Sequence, residues 1–171
     1  VNDVPGWDAE VIDENNYRKR APRDADGFPD HHALQRMRPA SAVGLYGGLT
    51  STIPRLYDVA KLYRGMGVTT IAGGQHFVGE NIDEALQNGV DFVVVGEGEE
   101  AIKELLEFLD GDRTREQLRG VAYLDETGQV RYSPREPIEN LDELPIPDFS
   151  LLRNADVSIY PVGRVRGCGM N

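Results

Sequence analysis

Three short loops in this sequence have residue types that suit the binding of a bulky, largely uncharged ligand. They are Gly47–Thr52 (Gly-Gly-Leu-Thr-Ser-Thr), Gly73–His76 (Gly-Gly-Gln-His) and Gly96–Glu99 (Gly-Glu-Gly-Glu). Glycines let the backbone approach a ligand closely, and hydroxyl and amide side chains supply hydrogen bonds without adding charge. The three loops together therefore indicate a ligand site, provided that the fold brings them to one place.

The segments around these loops predict an α/β fold. Each loop follows a short apolar strand and precedes a helical pattern: strands are expected at Ala42–Tyr46, Val68–Ala72 and Phe92–Val95, and helices at 53–66, 81–87 and 101–109. This alternation is typical of an open parallel sheet with helices on both faces, the flavodoxin-like or Rossmann-like arrangement. Ligands of such sheets bind outside the carboxyl ends of the strands, where all three loops would lie.

The flanking segments are expected to complete this architecture. Trp7–Asp13 is predicted as a further strand, and a short helix is expected at about 30–37. Val121–Leu124 and Val130–Tyr132 flank Asp125-Glu-Thr-Gly128 and predict a β-hairpin at the sheet edge. Five prolines between positions 134 and 161 then favour an extended connector.

The loop residues also have a purely structural explanation. At least one of Thr50, Ser51 and Thr52 is expected to cap the following helix. Glu97 and Glu99 fit a first helical turn, where carboxylates interact favourably with the helix dipole. Glycine is common after any strand. The repetition of the same composition in three consecutive loops favours the ligand site.

Other residues with chemical potential carry weaker signals. His76 is a metal ligand or an acid–base group only if partners lie nearby, and an isolated loop histidine is more often a hydrogen-bonding residue. His31 and His32 have no acidic or cysteine partner at ligand spacing, so we assign them no metal role. Asp13 and Glu14 end the first predicted strand, where they either meet a ligand or form a solvated turn.

Composition excludes several classes of protein. Eighteen Lys and Arg against 29 Asp and Glu give a formal charge of −11, which disfavours nucleic acid as a partner. The apolar runs are far shorter than the roughly 20 residues of a membrane span, so no transmembrane segment is expected. The single cysteine, Cys168, cannot form an internal disulfide, and we expect a cytoplasmic location.

Two other α/β functions fit the sequence less well. A phosphoacceptor receiver domain would use Asp13 as acceptor and needs a lysine after the last parallel strand, where this chain has Gly96-Glu-Gly-Glu99. A dinucleotide-binding domain needs Gly-x-Gly-x-x-Gly after a strand, and the same segment has Ala101 at the last position.

The ordered combination of motifs resembles the cobalamin-binding domain that precedes the barrel of many radical S-adenosylmethionine enzymes. The resemblance covers Gly44–Thr52, Ile71–His76 and Val93–Glu100, and it continues through Leu141–Asp148, which looks like the family's interdomain linker, to Arg166-Gly-Cys168. It implies a cobalamin-binding domain over residues 1–133, a linker over 134–157 and the start of the barrel at 158–171. The family has one more strand and helix before the Trp7–Asp13 strand, so upstream residues or another chain are expected to pair with the sheet edge.

The resemblance also implies a set of ligand contacts. The corrinoid cofactor would contact the loops through nine residues: Leu49, Thr50, Ser51, Gly73, Gly74, Gln75, Gly96, Glu97 and Gly98. Cys168 would be the first of three thiolates that hold a 4Fe–4S cluster, to which S-adenosylmethionine binds in the full-length protein. One cysteine cannot hold the cluster, so no residue of this chain is expected to be catalytic.

Two hypotheses about function follow from this resemblance. In the first, the chain binds cobalamin, adjoins a radical S-adenosylmethionine barrel and is part of a methyltransferase. In the second, it has lost the cofactor and acts as a substrate cap or interaction module.

Overall fold

The computed structural model describes residues 4–17, 21–139, 144 and 148–155. The chain divides into two compact units. The first comprises Val1–Asp8 with His31–Pro145, and the second comprises Ala9–Asp30 with Ile146–Asn171.

The secondary structure alternates between strands and helices through most of the described chain. The strands are β1 Val11–Ile12, β2 Ala42–Tyr46, β3 Thr69–Gly73, β4 Phe92–Val94, β5 Val121–Leu124, β6 Val130–Ser133 and β7 Leu152–Arg153. The α-helices are α1 His31–Met37, α2 Ile53–Gly65, α3 Glu80–Gln87 and α4 Glu99–Asp110. None of the helices in the described ranges combines the length and the apolar character needed to cross a bilayer.

The first unit contains a five-stranded sheet in the order β2-β3-β4-β5-β6. β2, β3 and β4 are parallel, while β5 and β6 form an antiparallel hairpin that pairs with β4. The α/β prediction is confirmed, and so is the predicted hairpin at the sheet edge. The three loops of interest follow the carboxyl ends of the three parallel strands.

Helices cover both faces of this sheet, as the sequence predicted. Successive residues of a strand point to opposite faces. Ala72 and Val93 belong to the apolar cluster that includes α2 and α3, whereas Ile71 and Phe92 belong to the cluster that includes Leu105 of α4. The two clusters fix the sheet and thereby the positions of its loops.

The prediction of a strand over Trp7–Asp13 is wrong for most of that segment. Only β1 is a strand, and in the second unit it pairs with β7 rather than with the five-stranded sheet. Val11 is 45% exposed, so the apolar alternation has no core to face. Asp13 accepts a hydrogen bond from the Asn15 amide and thereby starts a short 3₁₀ turn, which is the solvated-turn alternative for this carboxylate.

The segment after the hairpin is described in two parts. Residues 134–139 contain neither helix nor strand, as expected for an extended connector. Phe149–Leu151 form a 3₁₀ turn that leads into β7, so that part of the segment is more ordered than the prolines suggested. The proposed boundaries at 133 and 157 stay predictions, and residues 158–171 lie outside the described residues.

Candidate functional site

The three glycine loops lie side by side at one edge of the five-stranded sheet. Tyr46 at the end of β2 pairs with Gly73 at the end of β3, and Gly73 pairs in turn with Val94 at the end of β4. Parallel strands in this register place the residues that follow them next to one another. We call the loops 47–52, 73–76 and 96–98 the first, second and third loops.

Hydrogen bonds join the first and second loops into one unit. The Gly47 amide donates to the Gly73 carbonyl at 2.8 Å, and the His76 amide donates to the Gly47 carbonyl at 3.0 Å. The Thr50 hydroxyl lies 3.4 Å from Nδ1 of His76. These contacts hold the two loops in place without any ligand.

Close packing explains why two positions in these loops are glycine. Gly74 has a φ of +117°, and a Cβ there would lie 2.7 Å from the Gly47 carbonyl oxygen. A Cβ on Gly47 would lie 2.6 Å from the ring of Phe77, which is almost fully buried. Any side chain at either position would push the two loops apart.

Exposed apolar side chains surround the loops. Tyr46, Leu49 and Val78 are 76%, 66% and 61% exposed, and we call these three residues the apolar rim. The Tyr46 ring lies over the backbone of Gly48, where a Cβ would be 2.6 Å from it. The sequence had pointed to Leu49 through its loop, but it gave no special signal for Val78. The one possible signal for Val78 was that an apolar residue stands just after a glycine loop.

The hydroxyl groups of the first loop serve different purposes. Thr52 occupies the position that caps α2, as expected, but its hydroxyl donates to the Leu49 carbonyl at 2.8 Å instead of to the helix. Thr50 and Ser51 are exposed, and so is Gln75 in the second loop. These three side chains can offer hydrogen bonds to a ligand that lies over the loops.

The third loop combines two glycines with a carboxylate that is already engaged. Gly96 has a φ of +81°, and Gly98 precedes α4. Glu97 accepts a hydrogen bond from the Ile138 amide at 2.8 Å. Glu99 begins α4, as predicted. The prediction that Glu97 also lies in the first helical turn is wrong, because Gly98 caps the helix and Glu97 precedes it.

The histidines are placed as hydrogen-bonding residues. His76 faces Thr50 through Nδ1, while its Nε2 is buried and has no hydrogen-bond partner in the described residues. His31 is buried and lies 3.1 Å from the Tyr63 hydroxyl, through Nδ1. Within the described ranges, no three His, Cys, Asp or Glu side chains are grouped to hold a metal ion. Cys168 lies outside the described residues.

A separate cleft of about 600 Å³ lies at the opposite edge of the sheet. Its arginines are already engaged: Arg64 lies 3.7 Å from an Asp91 carboxylate oxygen, and the Arg115 guanidinium stacks over Phe108 and Tyr123. The glycine loops, by contrast, form an open surface with exposed polar and apolar groups, so we regard them as the candidate site.

One family model matches the part of the chain that contains these loops. The model of the B12 binding domain matches residues 24–106, a segment that contains α1 and all three loops.

A curated relative extends the similarity beyond this segment. The uncharacterized methyltransferase PH0819 of Pyrococcus horikoshii is 37% identical over 137 residues, which are 72% of this chain and 29% of the relative. The chain thus spans less than a third of the length of the relative that it matches.

Solved structures with a similar fold include forms of the cobalamin-dependent S-adenosylmethionine radical enzyme OxsB. Its apo form aligns with a TM-score of 0.53 and 20% identity over 68% of this chain and 16% of that chain. The form with aqua-cobalamin bound aligns with a TM-score of 0.51 over 63% of this chain and 15% of that chain. At this level of identity the likeness confirms the fold.

Proposed function

We propose that the three glycine loops bind cobalamin at the carboxyl edge of the sheet, since residues 24–106, which contain all three loops, match the model of the B12 binding domain. One observation carries this proposal. The Gly47–Gly73 and His76–Gly47 hydrogen bonds hold the first two loops together, and the third loop follows the adjacent strand, β4. A preformed edge of this kind binds a large ligand without first having to order its loops.

The residues at this edge fit a corrinoid in size and chemistry. Gly73, Gly74, Gly96 and Gly98 add no side chain over the loops, so a wide, rigid ring can lie close to the backbone. Thr50, Ser51 and Gln75 can donate hydrogen bonds to the amide groups around such a ring, and Leu49 offers it an apolar contact. Tyr46 and Val78 complete the apolar rim and would add further contacts.

We further propose that the chain is the cobalamin-binding part of a radical S-adenosylmethionine methyltransferase. The similarity to a Pyrococcus horikoshii protein named as a methyltransferase supports this assignment, and so does the similarity to the cobalamin-dependent radical enzyme OxsB. The sequence Arg166-Gly-Cys168 supports it as well. Cobalamin, when bound, supplies a cobalt atom that can carry a methyl group. The 4Fe–4S cluster and S-adenosylmethionine would belong to the adjoining barrel of the full-length protein, with Cys168 as one cluster ligand.

The second hypothesis, a module that has lost its cofactor, is not favoured. The loops keep their glycines. The Tyr46 ring lies close to both Gly48 and Gly74, where a Cβ would be 2.6 Å and 3.0 Å from it, but the side chain is 76% exposed and so does not fill the edge. We also propose a cytoplasmic location, which is supported by the single cysteine, since it cannot form an internal disulfide.

Cobalamin binding can be tested on the chain itself. The 171-residue chain is titrated anaerobically with hydroxocobalamin in the dark, desalted, and assayed for corrinoid by its visible absorption. We expect retention of about one equivalent, in keeping with a single site at the edge. A colourless eluate from folded protein would refute the proposal.

A pair of variants places the binding site. In Gly98→Leu a bulky side chain stands at the proposed edge, where the φ of −94° tolerates it. In Gly65→Leu the same side chain stands at the end of α2, at the opposite edge, with no atom within 4 Å of its Cβ. We expect corrinoid retention to be lost in Gly98→Leu and kept in Gly65→Leu. Equal retention in both variants would place the cofactor elsewhere.

A further inference from the structure

Glu97 joins the third loop to the chain that follows the hairpin. Its Oε2 accepts a hydrogen bond from the Ile138 amide at 2.8 Å, and both residues are half-buried. A carboxylate that accepts from a backbone amide makes a charge-assisted hydrogen bond, which is stronger than one between neutral groups. The contact spans 41 residues of sequence, so it reflects tertiary structure rather than a local turn.

A second contact holds the same segment against the first unit. The Arg135 guanidinium lies 2.5 Å from a carboxylate oxygen of Glu104 on α4, and the two side chains are only 20% and 19% exposed. Arg135 also packs against Gly120, at which a Cβ would lie 3.3 Å from the Arg135 Cβ. We call residues 134–138 the strap, because Arg135 and Ile138 fasten it at two points.

The third loop needs such an anchor. Gly96 and Gly98 flank Glu97, and glycines leave the backbone free to change conformation unless other contacts restrain it. Within the described residues, the Ile102 amide donates to the Gly98 carbonyl at 2.8 Å, and the bond from Ile138 to Glu97 is the one side-chain hydrogen bond that restrains the loop. The position of the loop and the docking of the strap are therefore linked through one carboxylate.

We propose that Glu97 is a positioning residue through which cofactor binding at the third loop and docking of the strap stabilise each other. This inference rests on the proposed function. It reassigns Glu97 from a direct contact of the cofactor to a residue that holds the loop in the binding conformation.

Thermodynamic linkage makes the proposal quantitative. If the docked strap increases the affinity of the third loop for cobalamin, then cobalamin must stabilise the docked strap by the same factor. The first effect appears in the dissociation constant of cobalamin, and the second appears in hydrogen exchange of the Ile138 amide.

The experiment compares three variants of the full chain with the wild type. Glu97→Ala removes the acceptor, Glu97→Gln keeps an oxygen that can accept from Ile138, and Glu100→Ala removes the same charge from the first turn of α4, where Glu100 pairs with Lys103. Each protein is titrated with hydroxocobalamin by absorbance, and the Ile138 amide is followed by NMR hydrogen exchange with and without the cofactor.

In the wild type we expect cobalamin to slow exchange of the Ile138 amide by about fivefold or more, a factor typical of coupled sites. Glu97→Ala should weaken binding by a similar factor and abolish the slowing. Glu97→Gln should restore most of both effects, and Glu100→Ala should resemble the wild type.

Three results would overturn the inference. One is wild-type affinity in Glu97→Ala, and another is an Ile138 amide whose exchange cobalamin does not change. The third is a Glu97→Gln variant as weak as Glu97→Ala, which would indicate that the charge itself meets the cofactor. If the wild type bound no corrinoid, the proposed function would fail. Faster exchange of the Ile138 amide in unliganded Glu97→Ala would still demonstrate that the hydrogen bond to Glu97 holds the strap.

Discussion

The glycine at position 74 offers the sharpest test of how the site is built. Gly74→Ala forces an L side chain into a backbone conformation with φ of +117° and places its Cβ 2.7 Å from the Gly47 carbonyl oxygen. A residue held in such a sparsely populated conformation costs about 2 kcal/mol. The Gly47 carbonyl must also move, which breaks its hydrogen bond with the His76 amide. The loss of one hydrogen bond costs about 1 kcal/mol more.

The expected loss in the free energy of unfolding is therefore about 3 kcal/mol. It is measured by urea denaturation followed by far-ultraviolet circular dichroism, as a lower midpoint at unchanged slope. Gly98→Ala is the matched control, since Gly98 has a φ of −94° and a Cβ there would meet only Val94, at an ordinary 3.5 Å. We expect it to change stability by less than about 0.5 kcal/mol.

Equal stability of the two variants would refute this reasoning. It would mean that the second loop moves freely away from Gly47, so that the first two loops do not form a preformed unit. A destabilised Gly98→Ala would instead indicate that the third loop is packed more tightly than its contacts show.

Three further predictions concern residues around the sheet. Thr70 is fully buried, and its hydroxyl donates a hydrogen bond to an Asp91 carboxylate oxygen at 2.8 Å. Thr70→Val should therefore lower the free energy of unfolding by about 1–3 kcal/mol in denaturant titrations, whereas Thr69→Val should have little effect. The Thr127 hydroxyl, followed by further hydrogen-bond donors of the hairpin turn, holds the pKa of Asp125 below its usual range. In acid the folded state therefore binds fewer protons than the unfolded state, so the free energy of unfolding decreases as the pH falls below about 4. In Asp125→Asn this decrease should be smaller, as measured by unfolding experiments between about pH 7 and about pH 2. Tyr46→Ala should weaken cobalamin binding about tenfold in absorbance titrations while Tyr46→Phe binds normally, because the expected contact is made by the ring.

The sequence was sufficient for the elements that position the site. β2, β3 and β4 begin and end within a residue or two of their predicted limits, as do α1, α3 and α4. In these segments the apolar period agrees with the burial that the fold provides, so local pattern and tertiary structure select the same element. The failure at Trp7–Asp13 has the opposite cause, since alternation there faces no core and only Val11–Ile12 form a strand.

The sequence alone also determined that three glycine loops share one edge, because the carboxyl ends of parallel strands must lie together. Tertiary structure decided what each residue does there. The Gly47–Phe77 packing, the position of the Tyr46 ring over Gly48 and the bond from Ile138 to Glu97 are all contacts that the order of residues does not reveal. The period of a strand or helix specifies which face a residue occupies, but not which distant residue it meets, since that depends on how every other element packs.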